Sequence, residues 1–144
     1  MMKLNQVITG VDFLGTTIKK LNVDNNIVDV RRDAKRSFGL NINEPHLGKL
    51  DDGYYSEMLI DFQVEIEQSE EQKCKIEISL EGAFASKEEM DEEEFKQLVA
   101  LNGAAALIGI ARGKIETISA NIFNDGKIVI PFVNVIEYYK DIAD

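Results

Sequence analysis

Few side chains in this sequence could do chemistry, and they do not converge. Cys74 is the only cysteine and His46 the only histidine, so neither a thiolate zinc site nor a His-rich metal site can be assembled from this chain alone. His46 lies in a stretch flanked by Pro45 and Gly48, and any Ser-His or Cys-His catalysis would hang on that one residue. Cys74 falls on the apolar side of an alternating run, where a small thiol serves as a core residue. The acidic run Glu88, Glu89, Asp91, Glu92, Glu93 and Glu94 lacks the alternating ligands and central glycine of a calcium loop. It reads as a solvated helix start favoured by the helix dipole. The chain has no GxGxxG, no GxxxxGK followed by Ser or Thr, no GxSxG and no HExxH. With no base, nucleophile or metal constellation, no enzyme activity and no cofactor are expected.

Two other groupings point to binding. Asp61, Glu65 and Glu67 with Glu77 and Glu81 crowd one sheet face with carboxylates, which a basic partner would relieve and which a solvated face also tolerates. Near the C-terminus, Phe123, Ile128, Val129, Ile130, Phe132, Val133, Val135, Ile136, Tyr138 and Tyr139 exceed what one helix stripe and a short extended segment can bury. Some of that surface is expected to meet another chain. An oligomer contact or ordinary core accounts for it as well as a groove for a bound polypeptide does.

These residues must be positioned by four strands followed by helices. Residues Ile18 to Asp24 alternate Lys19, Leu21 and Val23 against Lys20, Asn22 and Asp24, a first strand. Ser37 to Asn43 sets Phe38, Leu40 and Ile42 on one side, and Pro45, Gly48, Asp51, Asp52 and Gly53 then predict a long polar loop. Ile60, Phe62, Val64 and Ile66 share one face of a third strand and Cys74, Ile76, Ile78 and Leu80 one face of a fourth, joined as a hairpin through Gln68 to Lys73. From Asp91 the period becomes helical, with Asp91 and Glu94 placed as a capping box and Phe95, Leu98 and Val99 on one face. Asn102-Gly103 predicts a bend or break, after which Leu107, Ile108, Ala111, Ile115, Ile118 and Ile122 mark a second stripe. A turn at Asn124-Asp125-Gly126, an extended stretch from Lys127 to Val135 and a helix from Val135 to Asp144 complete the chain.

Four strands grouped before helices predict an α+β layer pair, an antiparallel sheet with helices on its apolar face, in one domain over residues 1–144. The chain has 144 residues, and its 16 basic and 26 acidic side chains leave a charge of −10, which repels a phosphate backbone and makes nucleic acid an unexpected partner. The densest basic stretch, Arg31, Arg32, Lys35 and Arg36, alternates with Asp29 and Asp33 and reads as a solvated edge. No basic leader precedes an apolar run, and no continuous run approaches the roughly 18 apolar residues of a membrane span. A lone cysteine suits a reducing compartment, so the expectation is a cytoplasmic protein with no direct membrane insertion.

From Tyr54 to Tyr139 the chain resembles the SecB family of protein-export chaperones. LNGAAALIGIARGKIETIS, Leu101 to Ser119, is similar to the family's segment in which a short helix ends at a Gly-containing break and a long helix carries Tyr-Ala-Arg-Glu. Ala111 and Arg112 keep two of those four positions, while Ile110, Gly113 and Gly109 depart from the pattern. IPFVNV, Ile130 to Val135, resembles the family's Leu-Pro-Pro-Val-Asn-Phe run, and EGAF, Glu81 to Phe84, its Gly-hydrophobic-Phe strand end.

The resemblance implies a four-stranded antiparallel sheet with two main helices packed on one face, in an ATP-independent holding chaperone assembled as a homotetramer (a dimer of dimers) with the long helices at the interface through Leu107, Ile110, Ile115 and Ile118. Unfolded preproteins or antitoxin-like clients would lie in apolar grooves lined by Phe84, Phe123, Phe132, Val133, Val135, Ile136 and Tyr139. It also implies a docking face for the translocation motor SecA at Asp24, Asp61, Glu65 and Glu77, which Lys20 and Lys75 oppose by adding positive charge. A different class of reading is a dedicated interaction module for a single folded partner.

Overall fold

Period-two alternation builds the centre of the molecule. The computed structural model describes residues 1–4, 9–86 and 89–143, so Glu88 of the acidic run and Asp144 at the end of the expected last helix lie outside the described residues. Strands β4 (Gly53–Glu67) and β5 (Lys73–Ser86) form the expected hairpin, antiparallel with Phe62 opposite Ile78 and Val64 opposite Ile76. Their even-numbered side chains, from Met58 to Ile66 and Cys74 to Leu80, are buried on one face. The apolar area withdrawn from water there is the main driving force of the fold.

The sheet has five antiparallel strands where four were expected. β1 (Val11–Asn25) flanks β5, and β2 (Lys35–Ile42) flanks β4, giving the order β1-β5-β4-β2. The stretch expected to be a polar loop holds β3 (His46–Leu50), which pairs with the first residues of β4 beyond the end of β2. β1 runs well past Ile18 to Asp24 and carries two irregularities in register, between Phe13 and Gly15 and between Ile18 and Lys20. The second lets Lys19 reach Glu81 at 3.6 Å instead of sharing a face with Leu21 and Val23.

In place of two main helices there is one long helical run and a short terminal helix. α1 (Glu92–Leu98), a π-helical turn (Val99–Gly103) and α2 (Ala104–Ile122) follow without interruption. Asp91 has the extended backbone of a cap residue but makes no side-chain cap bond, so the expected capping box is not formed. Gly103 has φ −64°, an ordinary helical value, and does not terminate the helix. Its small size serves close approach: a Cβ there would sit 2.9 Å from the Phe84 ring.

The π-turn has a geometric use. Phe95 and Leu107, both fully buried, are twelve residues apart, and at about 100° per residue they would be about 120° apart around a regular helix. One residue absorbed by the wider turn reduces that offset to about 20°, so both face the sheet. By length and composition the run Glu92–Ile122 is long and apolar enough to cross a membrane. Its apolar side is spent on the sheet, with Phe95, Val99, Leu107, Ile108, Ala111 and Ile115 buried over β4 and β5. The outer strand β1 projects Phe13, Ile18, Leu21 and Val23 to the same side, beyond the helix, and they stay exposed.

Candidate functional site

Beyond α2 the chain reverses and runs back along the helix. Phe123 is extended and buried, and the expected turn follows, with Gly126 at φ +92° where a side chain would be strained. Asn124 N–H donates to the Val28 carbonyl and Val30 N–H to the Asp125 carbonyl, tying the turn to the loop between β1 and β2. The next residues join no sheet, so their backbone groups depend on side chains of α2. Ile128 N–H donates to Ser119 Oγ at 2.9 Å and Ile130 N–H to Glu116 Oε1 at 3.0 Å. Arg112 Nη2 donates to the Ile130 carbonyl at 2.9 Å.

This extended backbone turns alternate residues to opposite sides. Ile128 and Ile130 are buried and Val129 is 64% exposed, but the alternation ends at Pro131, so Phe132, even-numbered like the buried pair, is 91% exposed. Phe132 lies with its ring 4.7 Å from the Arg112 guanidinium carbon. Helix α3 (Val135–Ala143) then starts at Asn134, whose side-chain oxygen accepts the Glu137 N–H and whose carbonyl accepts the Tyr138 N–H. Two phenols anchor α3. Tyr138 Oη accepts the Ile42 N–H at 2.9 Å, and Tyr139 Oη donates to the Ala100 carbonyl in the π-turn at 2.9 Å. Burial pushes the Tyr139 phenol above its usual range, with the neighbouring Tyr138 adding to the shift.

Between the helical run and this returning chain lies an open groove of about 590 Å³, lined by Leu101, Asn102, Ala105, Phe132, Val133, Asn134, Val135 and Ile136. None of these side chains is charged. A second hollow of about 200 Å³ is lined by Pro45, Leu47, Phe95, Val99 and Ala100, with Glu44 and Lys96 among its other lining residues. The Tyr139 hydroxyl donates to the carbonyl of Ala100, a residue that lines this second hollow.

Of the residues expected in a client groove, Phe132, Val133, Val135 and Ile136 line this one together. Tyr139 is adjacent but turned to Ala100. Phe84 and Phe123 are corrected to core positions: Phe84 is buried and stacks on Phe13 with ring centroids 5.1 Å apart. Among the residues assigned to a helix interface, Leu107 and Ile115 are fully buried against the sheet, and Ile110 and Ile118 are half-buried on its flank. The outward face of the helix carries Asn102, Ala105, Gly109, Gly113, Thr117 and Ala120 instead. Sequence reasoning missed Leu101, Asn102, Ala105 and Asn134. For Asn134 the signal was present, since Asn followed three residues later by Glu137 is a helix-start pattern.

The open face of the sheet has a different character. Glu77 accepts Lys75 Nζ at 2.9 Å and Lys20 Nζ at 3.5 Å, and Lys75 also reaches Glu65 at 3.8 Å. The Lys75 hydrogen bond holds the Glu77 carboxyl below its usual range. Asp61 takes hydrogen bonds from Ser79 at 2.5 Å and Asn43 at 3.1 Å, and the Ser79 bond lowers its pKa against partial desolvation. The carboxylates Asp61, Glu65 and Glu77 are thus engaged within this chain, while Asp24 is exposed at a depression of about 500 Å³ whose lining mixes Glu65 and Glu67 with Lys35, Lys73 and Lys75. Burial raises the Cys74 thiol to about 11, and its side chain is enclosed in the core. Among the described residues no group of three or more His, Cys, Asp or Glu side chains could hold a metal ion.

No family model matches the chain, and no curated protein matches it in sequence. Solved structures do match in fold. The Mycobacterium tuberculosis SecB-like chaperone Rv1957, in complex with a ChAD peptide from the Rv1956 HigA1 antitoxin, has a TM-score of 0.59 at 10% identity, over 88% of this chain and 92% of that one. A protein of unknown function from Streptococcus agalactiae has a TM-score of 0.50 at 14% identity, over 85% of this chain and 97% of its own. The chain therefore has a SecB-like α+β fold.

Proposed function

We propose that this protein is an ATP-independent holding chaperone that binds extended, unfolded polypeptide segments in the groove between its helical run and the returning chain. The observation that carries the reading is the groove itself: an open, uncharged channel with Phe132 held 91% exposed on its wall. An aromatic ring kept in water is costly to leave uncovered and gains most when an apolar side chain from another molecule covers it. A long channel holds an extended chain through many weak contacts, without sequence readout and without a nucleotide. The SecB-like fold supports the reading, because a protein of that fold has been seen with a peptide of an antitoxin.

An antitoxin-like client fits this chain better than hand-over to the translocation motor SecA. The observation favouring it is the open sheet face, where Lys20 and Lys75 already pair with Glu77 and Glu65 and leave less negative charge for a basic partner. Assembly into a homotetramer and residence in the cytoplasm belong to the same proposal, as does the absence of any chemistry of its own. The test is aggregation of several unrelated, chemically unfolded proteins diluted into increasing concentrations of this one, with the solution mass followed by light scattering. Slower aggregation together with a mass that rises on adding client supports the holdase. Unchanged aggregation with stoichiometric capture of one folded partner replaces it by a dedicated interaction module.

A further inference from the structure

Arg112 sits behind the groove in an unusual state. Its Nη2 is spent on the Ile130 carbonyl, its guanidinium faces the Phe132 ring, and its Nε is buried without a hydrogen-bond partner. No carboxylate among the described residues lies within 4.0 Å of it. One helical turn on, Glu116 spends its Oε1 on the Ile130 N–H rather than on Arg112. The two side chains therefore grip the N–H and the carbonyl of one residue, Ile130, two positions before Phe132. A half-buried cation is left with an aromatic ring as its counterpart.

We infer that Arg112 is a positioning residue that sets the groove's specificity: it presents Phe132 to the groove and makes that site prefer an aromatic or aliphatic client side chain flanked by a carboxylate over one flanked by lysine. This rests on the client-binding reading above. Arg112 approaches one face of a ring that otherwise stays open to water, so the π-density is drawn toward that cation and a second cation on the other face meets a weakened quadrupole and a like charge. A client carboxylate beside the ring meets the opposite field, in a channel whose own lining is uncharged, because the nearby Glu116 carboxylate is turned to the Ile130 N–H while the Arg112 guanidinium faces the ring. The local preference runs against the charge of −10 carried by the whole chain, which draws cationic segments from a distance.

The sequence has no tryptophan, so Phe132→Trp places a single indole reporter at the site. Two extended peptides, identical except for Glu or Lys beside one aromatic residue, are titrated against that protein. The expected result is about five-fold tighter binding of the Glu peptide, of the order that one partly exposed cation–π or ion contact contributes. Adding Arg112→Met removes or reverses the preference and shifts the emission and quenching of the indole in the free protein. Arg112→Lys keeps the charge, so it retains the sign of the preference and guards against a folding defect in the methionine variant. A preference that survives Arg112→Met, or a Lys peptide bound more tightly by the Arg112 protein, overturns the inference. Binding of neither peptide overturns it together with the chaperone reading. Tight but equal binding of both overturns the specificity and leaves the chaperone reading standing.

Discussion

The hairpin of β4 and β5 and the returning segment 127–136 are both extended and rich in apolar residues, yet one is closed and the other open. In the hairpin each strand satisfies the other's backbone, and the apolar side chains are covered by the helical run. In the returning segment only Ile128 and Ile130 are fully buried, with Val133 and Val135 half-covered, and the backbone groups of the buried pair are held by Ser119, Glu116 and Arg112. Extended, apolar chain thus yields a core where a strand partner exists and a presentable surface where three side chains replace it. Stability and function are separated between the two regions, as expected where binding surfaces are drawn from the less tightly held parts of a fold.

That separation is broken or sharpened most by large-to-small substitutions in each region. Phe62→Ala, in the hairpin core, should cost about 3–5 kcal/mol in denaturant unfolding. Phe132→Ala should cost no more than about 1 kcal/mol of stability, the size of its contact with Arg112, while weakening binding of an unfolded client roughly tenfold. Equal losses of stability from the two changes would mean that Phe132 is packed in solution and that the regions are not distinct.

Gly103→Ala tests the junction between them. Its methyl would meet the Phe84 ring at 2.9 Å, in a packed layer where one added carbon costs about 1–3 kcal/mol. If the π-turn instead yields easily, the variant will unfold with the parent's midpoint. This position also shows where sequence reading stops. The hairpin was legible because period two and burial agree residue by residue from Ile60 to Leu80. Asn102-Gly103 carries the letters of a helix stop, but the close approach of Phe84, distant in sequence, gives Gly103 another reason to be small. β3 was missed because Gly48 and its turn-forming neighbours obscure a short edge strand whose identity comes from pairing with Tyr54 to Glu57. Half of the groove was legible as apolar surplus in Phe132 to Ile136. The other wall, Leu101 to Ala105, could not be assigned until the returning chain was placed against it. Phe84 and Phe123 share the composition of groove residues and differ from them only in what covers them.

Ser119→Ala reaches the weaker region through its backbone. It would leave the buried Ile128 N–H without its acceptor, at about 1–3 kcal/mol. Hydrogen exchange at Ile128 should quicken, while amides of β4 and β5 change only in proportion to the global loss of stability. Faster exchange spread evenly over both regions would show that the returning segment and the hairpin open as one unit.

The smallest expected effect lies on the open sheet face, where the charges are solvated. The Lys75 hydrogen bond lowers the Glu77 pKa from the ordinary 4.5, and the Ser79 hydrogen bond lowers that of Asp61 from 3.8. A carboxylate whose folded pKa is depressed stabilises the fold above its unfolded pKa, and that contribution is lost as pH falls through the folded value. Acidification below about pH 4 should therefore weaken the protein through these two groups, and carboxyl-resolved NMR titration should find both midpoints below their ordinary values. Lys75→Met should move the Glu77 midpoint upward. It should leave that of Asp61 nearly in place, because its largest cause is a neutral hydroxyl. The groove has no charged lining and should keep its client affinity through Lys75→Met at neutral pH. A parallel loss of binding would mean that the two faces of the sheet are coupled, and that the division between a closed, stable side and an open, binding side does not hold across its thickness.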